Sequence, residues 1–405
     1  MQYDLVFEGG GAKGMVFAGA LEVFFGRGHS FGRLLGTSAG AITATFLAAG
    51  YTVEEIMAAL AETDEQGQPV FAAFMGPPAP FRSDEIADSG LRRLLRAVNL
   101  RLVPDVAEER VDDAVARTLM EARGFRNLFA FVERGGWYAA DAFLAWLRRK
   151  LDTARPDGTP RAYSGMTLAQ YQQATGVDLS LVAADTTDQK LLVLNHRTAP
   201  DCPLVYAVRM SMSVPLLWEE VEWQADWGHY RGRDLSGHAV VDGGLLSNFP
   251  LELFVSRAPQ VTAVMGDKEA ANVLGMIIDE SLPVPGAPPK PGGSQAAETL
   301  SLADLKTARR LQALVETVTR AHDKNIIDTF AHLVVRLPAG GYGTTEFDMT
   351  PERRAALIAV GRQTMTGHLG AAPDPFLEGA FDFSAAASGA AGAAADRIAL
   401  GLLAE

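Results

Sequence analysis

The sequence of 405 residues predicts a three-layer α/β/α fold, in which helices cover both faces of a central, mostly parallel β-sheet. Three observations predict this class. Two strand–loop–helix units follow one another near the amino terminus, short apolar strands return later in the chain, and the composition (48% hydrophobic, 21% charged) is that of a globular protein.

The first unit begins with the apolar strand Tyr3–Phe7, which runs into the glycine loop GGGAKG at residues 9–14. Apolar residues recur at helical spacing over Met15–Phe25, so a helix is predicted after the loop. No charged leader or long apolar segment precedes the strand. We therefore expect a cytoplasmic protein, and export without a cleaved signal is the open alternative.

The second unit repeats this arrangement. Phe31–Leu35 predicts a short strand, GTSAG over Gly36–Gly40 forms a second glycine cluster, and Ala41–Ala49 predicts a helix of small residues. Two such units in succession are typical of a parallel sheet with helices on its faces.

The middle of the chain, residues 52–161, is mostly helical in pattern and contains the proline-rich stretch GPPAP. We expect it to form a helical insertion or cap beside the sheet. Within it, Asp141–Leu151 predicts an amphipathic helix with Asp141 as its N-cap, because the apolar residues recur every three or four positions.

Strands and a closing helix are expected in the second half. We expect one catalytic domain over residues 1–370, with a mobile Pro/Gly-rich loop at 283–298, and an alanine-rich tail at 371–405 that ends in a short helix. The closing helix of the domain is predicted at Pro351–Leu369 with Thr350 as its cap. The predicted strands are Leu179–Ala184, Leu191–Leu194, Ala239–Val241, Val261–Met265 and Leu333–Leu337.

The formal net charge of −13 argues against two kinds of binding partner, nucleic acid and anionic lipid. Nucleic acid is not expected, because phosphate binding needs a basic face. Electrostatic adhesion to anionic lipid is disfavoured for the same reason, so any peripheral membrane contact is expected to be apolar. The single cysteine, Cys202, excludes an intramolecular disulfide. Aromatic residues of the middle region are candidates for membrane contact: Phe71, Phe74, Phe81, Phe125, Phe129 and Trp137.

GTSAG matches G-x-S-x-G, with a predicted strand before it and a helix after it. That context is typical of a nucleophile elbow, a cramped strand-to-helix turn that exposes a serine hydroxyl. Gly36 and Gly40 remove the Cβ atoms that would clash there, and the following helix N-terminus favours developing negative charge. Ser38 is therefore a candidate nucleophile, although the motif alone is also compatible with an ordinary glycine turn.

GGGAKG also matches the dinucleotide fingerprint G-x-G-x-x-G through Gly9, Gly11 and Gly14. A dinucleotide site requires an acidic residue at the end of the second strand, and this chain has Gly36-Thr37-Ser38 there instead. A P-loop is excluded because Met15 follows Gly14. No cofactor is therefore expected. Three consecutive glycines are better used as free backbone amides that stabilise an oxyanion.

A catalytic serine needs a base. The histidines of the second half do not stand beside a glycine turn at the end of a predicted strand, the usual place of a catalytic histidine. Asp242 does stand there, in AVVDGGLLSNFP, although an Asp-Gly-Gly turn is also a common structural element. A dry pocket would raise the basicity of such a carboxylate.

Together these segments resemble the patatin-like phospholipases, which hydrolyse acyl esters with a Ser–Asp dyad and no histidine. The family pattern is a G-G-G-x-[KR]-G loop, then G-x-S-x-G, then D-G-[GA], and this chain has GGGAKG, GTSAG and DGG in that order. AVRMSMSVPLLW and GGYGTTEFDMTPERRAAL are similar to further family segments. The resemblance covers residues 1–50 and 163–370 and implies the patatin-like α/β/α fold.

The resemblance implies a role for each motif. Ser38 would be the nucleophile and Asp242 the general base, with no metal. The amides of Gly9, Gly10 and Gly11 would form the oxyanion hole. The remaining motif glycines, Gly14, Gly36, Gly40, Gly243 and Gly244, would shape the turns.

The function implied is that of a lipid acyl hydrolase of the phospholipase A or lysophospholipase type, acting on phospholipid or another acyl lipid. A soluble carboxylesterase or thioesterase that uses the same dyad on small acyl substrates is the alternative. A nucleotide-dependent oxidoreductase is disfavoured by the missing ribose-binding acid. An activating partner stays open.

Overall fold

The computed structural model describes residues 1–78, 123–267, 272–290, 323–371 and 390–404, together with isolated residues at 81, 85–86, 89–90, 93, 306 and 310. The strands are β1 (Gln2–Phe7), β2 (Ser30–Thr37), β3 (Gly136–Tyr138), β4 (Leu179–Asp185), β5 (Lys190–Leu194), β6 (Leu216–Trp218), β7 (Val221–Glu222), β8 (His229–Tyr230), β9 (Arg233–Asp234), β10 (Ala239–Asp242), β11 (Asn272–Pro283) and β12 (Val334–Gly340).

The helices of the described residues lie between and after these strands. They are α1 (Val16–Gly26), α2 (Ala39–Ala48), α3 (Val53–Leu60), α4 (Arg123–Glu133), α5 (Asp141–Asp152), α6 (Leu168–Thr175), α7 (Leu204–Met212), α8 (Glu252–Val255), α9 (Pro259–Met265), α10 (323–329), α11 (Pro351–Ala371) and α12 (Ala390–Leu402). Short 3-10 turns include Gly11–Met15, Val70–Met75 and Gly243–Leu245.

The central sheet has eight strands. β12, β11, β1, β2 and β4 lie side by side and are all parallel, whereas β5 and β10 pair antiparallel with β4. Successive side chains of β1 enter different cores: Leu5 and Phe7 pack with α1 and α11, and Val6 packs with α8, α9 and α12. Helices therefore cover both faces, and the predicted three-layer fold is confirmed.

One edge of β4 carries two strands that point toward each other. β2 pairs with the first half of β4, where Thr37 lies opposite Val182, and β10 pairs with the second half, where Asp242 lies opposite Ala183. The other edge of β4 is occupied along 181–185 by β5, so β2 and β10 must share one edge. Their carboxyl ends consequently meet at neighbouring residues of β4.

Val261–Met265, expected to be a strand, is helical, so that prediction was wrong. Pro259 stands in the first turn of α9, which favours a helix start, and Gly266, with φ 74°, ends it. Val261, Val264 and Met265 are buried at helical spacing. Asp141 begins α5 but does not cap it, since the N-cap is Ala140 and makes no side-chain hydrogen bond.

The aromatic residues proposed for membrane contact are mostly core residues. Phe71, Phe74, Phe129 and Trp137 are each at most 5% exposed, and Phe81 is 8% exposed. Phe125 is half-buried. These side chains therefore do not form an exposed apolar surface, and the expectation was wrong for the buried five. Among the described residues, no helix combines the length and apolar character that crossing a bilayer requires.

The end of the chain packs against the sheet. The expected short terminal helix is α12. Its Ala395 and Ala399, together with Leu403 directly after it, enter the core beside β1. Asp396 accepts hydrogen bonds from the Ser256 hydroxyl and from the amides of Arg257 and Ala258. Residues 291–298 of the expected loop and 372–389 of the tail lie outside the described residues.

Candidate active site

Ser38 lies at the turn between β2 and α2 in a strained backbone conformation. Its φ of 54° and ψ of −119° are rare for a residue with a side chain and are typical of a nucleophile elbow. The turn is tightly closed, because a Cβ on Gly36 would lie 2.4 Å from the Gly40 oxygen and one on Gly40 would lie 2.3 Å from the Phe7 oxygen. Ser38 is 6% exposed.

The glycine loop at residues 9–14 packs directly against this turn. A Cβ on Gly9 would lie 2.9 Å from Ser38 Cβ, and one on Gly14 would lie 2.8 Å from Ala39 Cβ. The Gly9 amide donates a long hydrogen bond of 3.4 Å to the Asn248 oxygen. The amides of Gly10 and Gly11 donate to no group of the described residues. These two amides are therefore free donors in the loop that packs against the Ser38 turn.

Lys13 of the same loop is buried rather than solvated. Its ammonium group forms an ion pair with Glu280 and donates a hydrogen bond of 2.8 Å to Thr344 Oγ1. The Ala12 amide donates to the Thr344 backbone oxygen at 2.9 Å. The loop is thus tied to β11 and to the segment after β12.

Asp242 ends β10 with its carboxyl group in a dry environment. Oδ1 accepts a hydrogen bond of 2.8 Å from the Gly244 amide, whereas Oδ2 is buried and accepts no hydrogen bond of ordinary geometry from any described residue. Burial raises the pKa of Asp242 to about 7, and the Gly244 amide and the nearby Ser38 hydroxyl offset that rise in part. The predicted increase in basicity thus has a physical cause.

The end of α7 holds both turns. The Ser211 hydroxyl accepts a hydrogen bond of 3.1 Å from the Ser38 amide, and the Ser213 oxygen accepts one of 2.9 Å from the Asp242 amide. The sequence reasoning missed both serines. The only signal for them was the small-residue segment SMS, whose serines stand two positions apart.

Asn248 connects the acid turn to the glycine loop. Its side-chain amide donates to the Gly9 oxygen at 3.0 Å and to Glu8 Oε1 at 3.3 Å, and its backbone amide donates to Asp323 Oδ2 at 3.2 Å. Burial raises the pKa of Glu8 to about 8 and that of Asp323 to about 7. Asp323 was not identified from the sequence, because it stands 81 positions after Asp242 without a recognisable motif.

Two cavities meet at Ser38. The larger, about 680 Å³, contains Asp242, Asn248 and the glycine loop and is rich in charged side chains. The smaller, about 50 Å³, is lined mainly by apolar and aromatic side chains. Ser38 lines both, so a group bound at its hydroxyl can extend in two directions.

No histidine among the described residues takes part in this arrangement. No described histidine lines either cavity, and His322 lies outside the described residues. Asp185, Asp188 and His238 bring possible metal-ligand atoms within 4.8 Å of one another at the other end of β10. Asp185 is already hydrogen-bonded to His238 Nδ1 at 2.8 Å, and Asp188 is paired with Arg233.

The fold and this site define an α/β protein with an elbow serine facing a buried carboxyl group. The model of the patatin-like phospholipase family matches residues 5–255, and the chain belongs to that family. Membership supports lipid hydrolase activity.

Individual relatives share only a small part of their sequence with the chain. The chain is 27% identical over 372 residues to the uncharacterized protein YqhO of Bacillus subtilis. This match covers 90% of this chain and 96% of YqhO. VipD of Legionella pneumophila is similar at 18% identity and a TM-score of 0.47, over 91% of this chain and 67% of VipD. The type III effector ExoU of Pseudomonas aeruginosa is similar at 20% identity and a TM-score of 0.37, over 91% of this chain and 52% of ExoU.

Proposed function

We propose that the protein hydrolyses carboxylic esters of phospholipids or other acyl lipids, with Ser38 as nucleophile and Asp242 as general base. One observation carries the proposal: β2 and β10 end at neighbouring residues of β4, and the Ser38 hydroxyl lies close enough to the buried Asp242 carboxyl group to lower its pKa. A carboxylate with a pKa of about 7 is basic enough to accept a proton at neutral pH.

The reaction would proceed in two steps. Asp242 takes the proton of Ser38 Oγ as that oxygen attacks the ester carbonyl carbon, and it gives this proton to the alcohol as the bond from the carbonyl carbon to the alcohol oxygen breaks. Asp242 then takes a proton from the water that attacks the acyl-enzyme, and it returns that proton to Ser38 Oγ as the carboxylic acid is released. The amides of Gly10 and Gly11 would stabilise the oxyanion. Gly9, the third donor implied by the resemblance, would contribute less, because its amide already donates to Asn248.

The test is the release of fatty acid from phospholipid vesicles and of p-nitrophenol from p-nitrophenyl esters by the purified protein. Ser38→Ala should abolish both activities and labelling by a serine-directed fluorophosphonate. Ser236→Ala is the matched control, since Ser236 lies in an exposed turn and its side chain donates a hydrogen bond to Asp234. Hydrolysis by Ser38→Ala at the wild-type rate would end the proposal.

A soluble carboxylesterase or thioesterase is the second candidate, because the apolar cavity beside Ser38 measures only about 50 Å³. Such an enzyme would act on monomeric short esters and gain nothing from an interface. Comparing rates below and above the critical micelle concentration of one ester distinguishes the two functions.

Lipid contact is proposed to be apolar, because the net charge of −13 opposes attraction to anionic vesicles. Binding to zwitterionic vesicles should therefore change little with salt. A steep fall in binding as salt rises would contradict this and indicate a local basic patch.

A further inference from the structure

The small cavity beside Ser38 is suited to the acyl part of the ester. Among the described lining residues, the hydroxyl groups are those of Ser38 itself and Thr43, and the Thr43 hydroxyl already donates to the Ala39 oxygen at 3.1 Å. The Trp218 indole N–H likewise already donates, to the Phe74 oxygen. A polar alcohol would lose its hydrogen bonds in such a place, whereas a hydrocarbon loses nothing. The alcohol part fits the larger cavity, where charged side chains such as Asp279 and Lys324 are available.

Four phenylalanines line this cavity, Phe71, Phe74, Phe143 and Phe347. We call three of them, Phe71, Phe74 and Phe347, the aromatic wall. Their side chains are at most 7% exposed. The rings of Phe71 and Phe74 have centroids 4.8 Å apart, and those of Phe71 and Phe347 are nearly parallel at 6.4 Å. The wall is therefore a packed layer and not a set of loosely held side chains.

The aromatic wall is itself supported from behind and from the side. The fully buried ring of Trp146 lies 5.0 Å from Phe71 and 5.4 Å from Phe74. The Trp218 indole donates a hydrogen bond of 3.1 Å to the Phe74 oxygen and lies 5.8 Å from the Phe347 ring. Moving any of these rings would disturb several others, so the wall resists displacement by a ligand.

The cavity is small on the scale of known ligands. An apolar cavity of about 150 Å³ holds benzene, which has six carbons. The cavity beside Ser38 measures about 50 Å³, one third of that. By this proportion it holds about two carbons of an acyl chain.

We propose that the enzyme removes short acyl groups, and that the aromatic wall sets their maximum length. The inference rests on the proposed function of Ser38 and adds the class of acyl group. The same short acyl ester can belong to a phospholipid or to a small soluble alcohol, and the two sources require separate substrates in the test.

The experiment measures kcat/KM on p-nitrophenyl acetate, butyrate, octanoate and palmitate. Wild type should prefer acetate or butyrate and lose at least about tenfold on octanoate, because a pocket that discriminates by one methylene already gives about that factor. Phe71→Ala removes one six-carbon ring from the wall and should shift the preference toward octanoate. Phe71→Leu should give an intermediate shift and is the safer variant if the alanine variant does not fold.

Phe24→Ala is the matched control, since Phe24 is fully buried and lines neither cavity. It should lower stability without changing the chain-length preference. Phospholipids with one long chain and either an acetyl or a palmitoyl second chain test the lipid source. Release of acetate, without palmitate, from these phospholipids would assign the short acyl ester to a lipid. Turnover of p-nitrophenyl acetate without hydrolysis of either phospholipid would assign it to a soluble alcohol.

Two failures can be told apart. If Ser38→Ala leaves the turnover of every ester unchanged, the proposed function is wrong. If turnover depends on Ser38 but wild type prefers palmitate, or if the Phe71 variants keep the wild-type preference, only the inference on acyl length is overturned.

Discussion

The turn that carries Ser38 and the turn that carries Asp242 are held by different forces. Backbone contact closes the Ser38 turn, where Gly36 and Gly40 leave no space for a Cβ. The Asp242 turn depends on burial, since its carboxyl group has one hydrogen bond, from Gly244, and one oxygen without a described partner.

This difference separates two requirements of the proposed reaction. The nucleophile needs a fixed position, which close packing supplies without any charge. The base needs a raised pKa, which only desolvation supplies here, because no charged side chain contributes to the shift. Substitutions in the two turns should therefore change different measured quantities.

The largest effect is expected from removing either reacting group. Ser38→Ala and Asp242→Asn should each lower kcat by about 10⁴-fold or more, and the double variant should lose little beyond either single one, since groups that act as a unit are not additive. Initial rates on a p-nitrophenyl ester measure this. An Asp242→Asn variant with near wild-type kcat would show that another base serves Ser38.

The pH dependence should be the next largest effect. The burial-raised pKa of Asp242, about 7, leaves the carboxyl protonated and unable to act as a base at low pH, so kcat/KM should rise with pH up to about 7 and then level off. Two pH units below that pKa the loss is roughly a hundredfold. Acid release followed in a pH-stat gives the profile. A flat profile from pH 5 to 9 would contradict the role of burial.

Glycine substitutions test the packed turn. Gly36→Ala should lower the free energy of unfolding by about 1–3 kcal/mol, because the added Cβ meets the Gly40 backbone. Gly367→Ala, where a Cβ in α11 meets nothing within 4 Å, should instead raise it by about 0.4–1 kcal/mol. Urea unfolding measures both. Equal midpoints for the two variants would show that the Ser38 turn is not tightly packed.

The smallest effect concerns the link between the Asp242 turn and the glycine loop. Asn248→Ala removes the hydrogen bond to the Gly9 oxygen. It should lower kcat about tenfold while KM changes little, because a displaced glycine loop stabilises the transition state less well. Asn325→Ala, at an exposed position of α10, is the control. A change in KM alone would assign Asn248 to substrate binding instead.

Local patterns predicted the Ser38 turn well. The motif occupies only five consecutive residues, Gly36–Gly40, where a strand passes into a helix. The sterics of this one short segment therefore determine the geometry of the turn. The β1 and β2 strands and the helices after them were predicted for the same reason. α9 was missed because its apolar spacing over a short run fits either a buried strand or a helix.

The pattern of a single turn could not predict that the carboxyl ends of β2 and β10 lie next to each other on β4. It depends on the register of each strand along β4, and these pairings join residues that are distant in the sequence. Ser211 and Asp323 were missed because their roles arise from the packing of α7 and α10. β11 was also missed, although its run of buried apolar residues from Val273 to Ile278 is typical of a central parallel strand.

The position of β1 in the sheet has a consequence for synthesis on the ribosome. β1 lies between β2 and β11, and the Glu8 amide donates to the Met276 oxygen, so the glycine loop gains its second support only when β11 has been translated. The nascent chain would therefore have the proposed nucleophile early but a supported glycine loop late. Under the proposed function, ester cleavage should begin only when most of the polypeptide has left the ribosome.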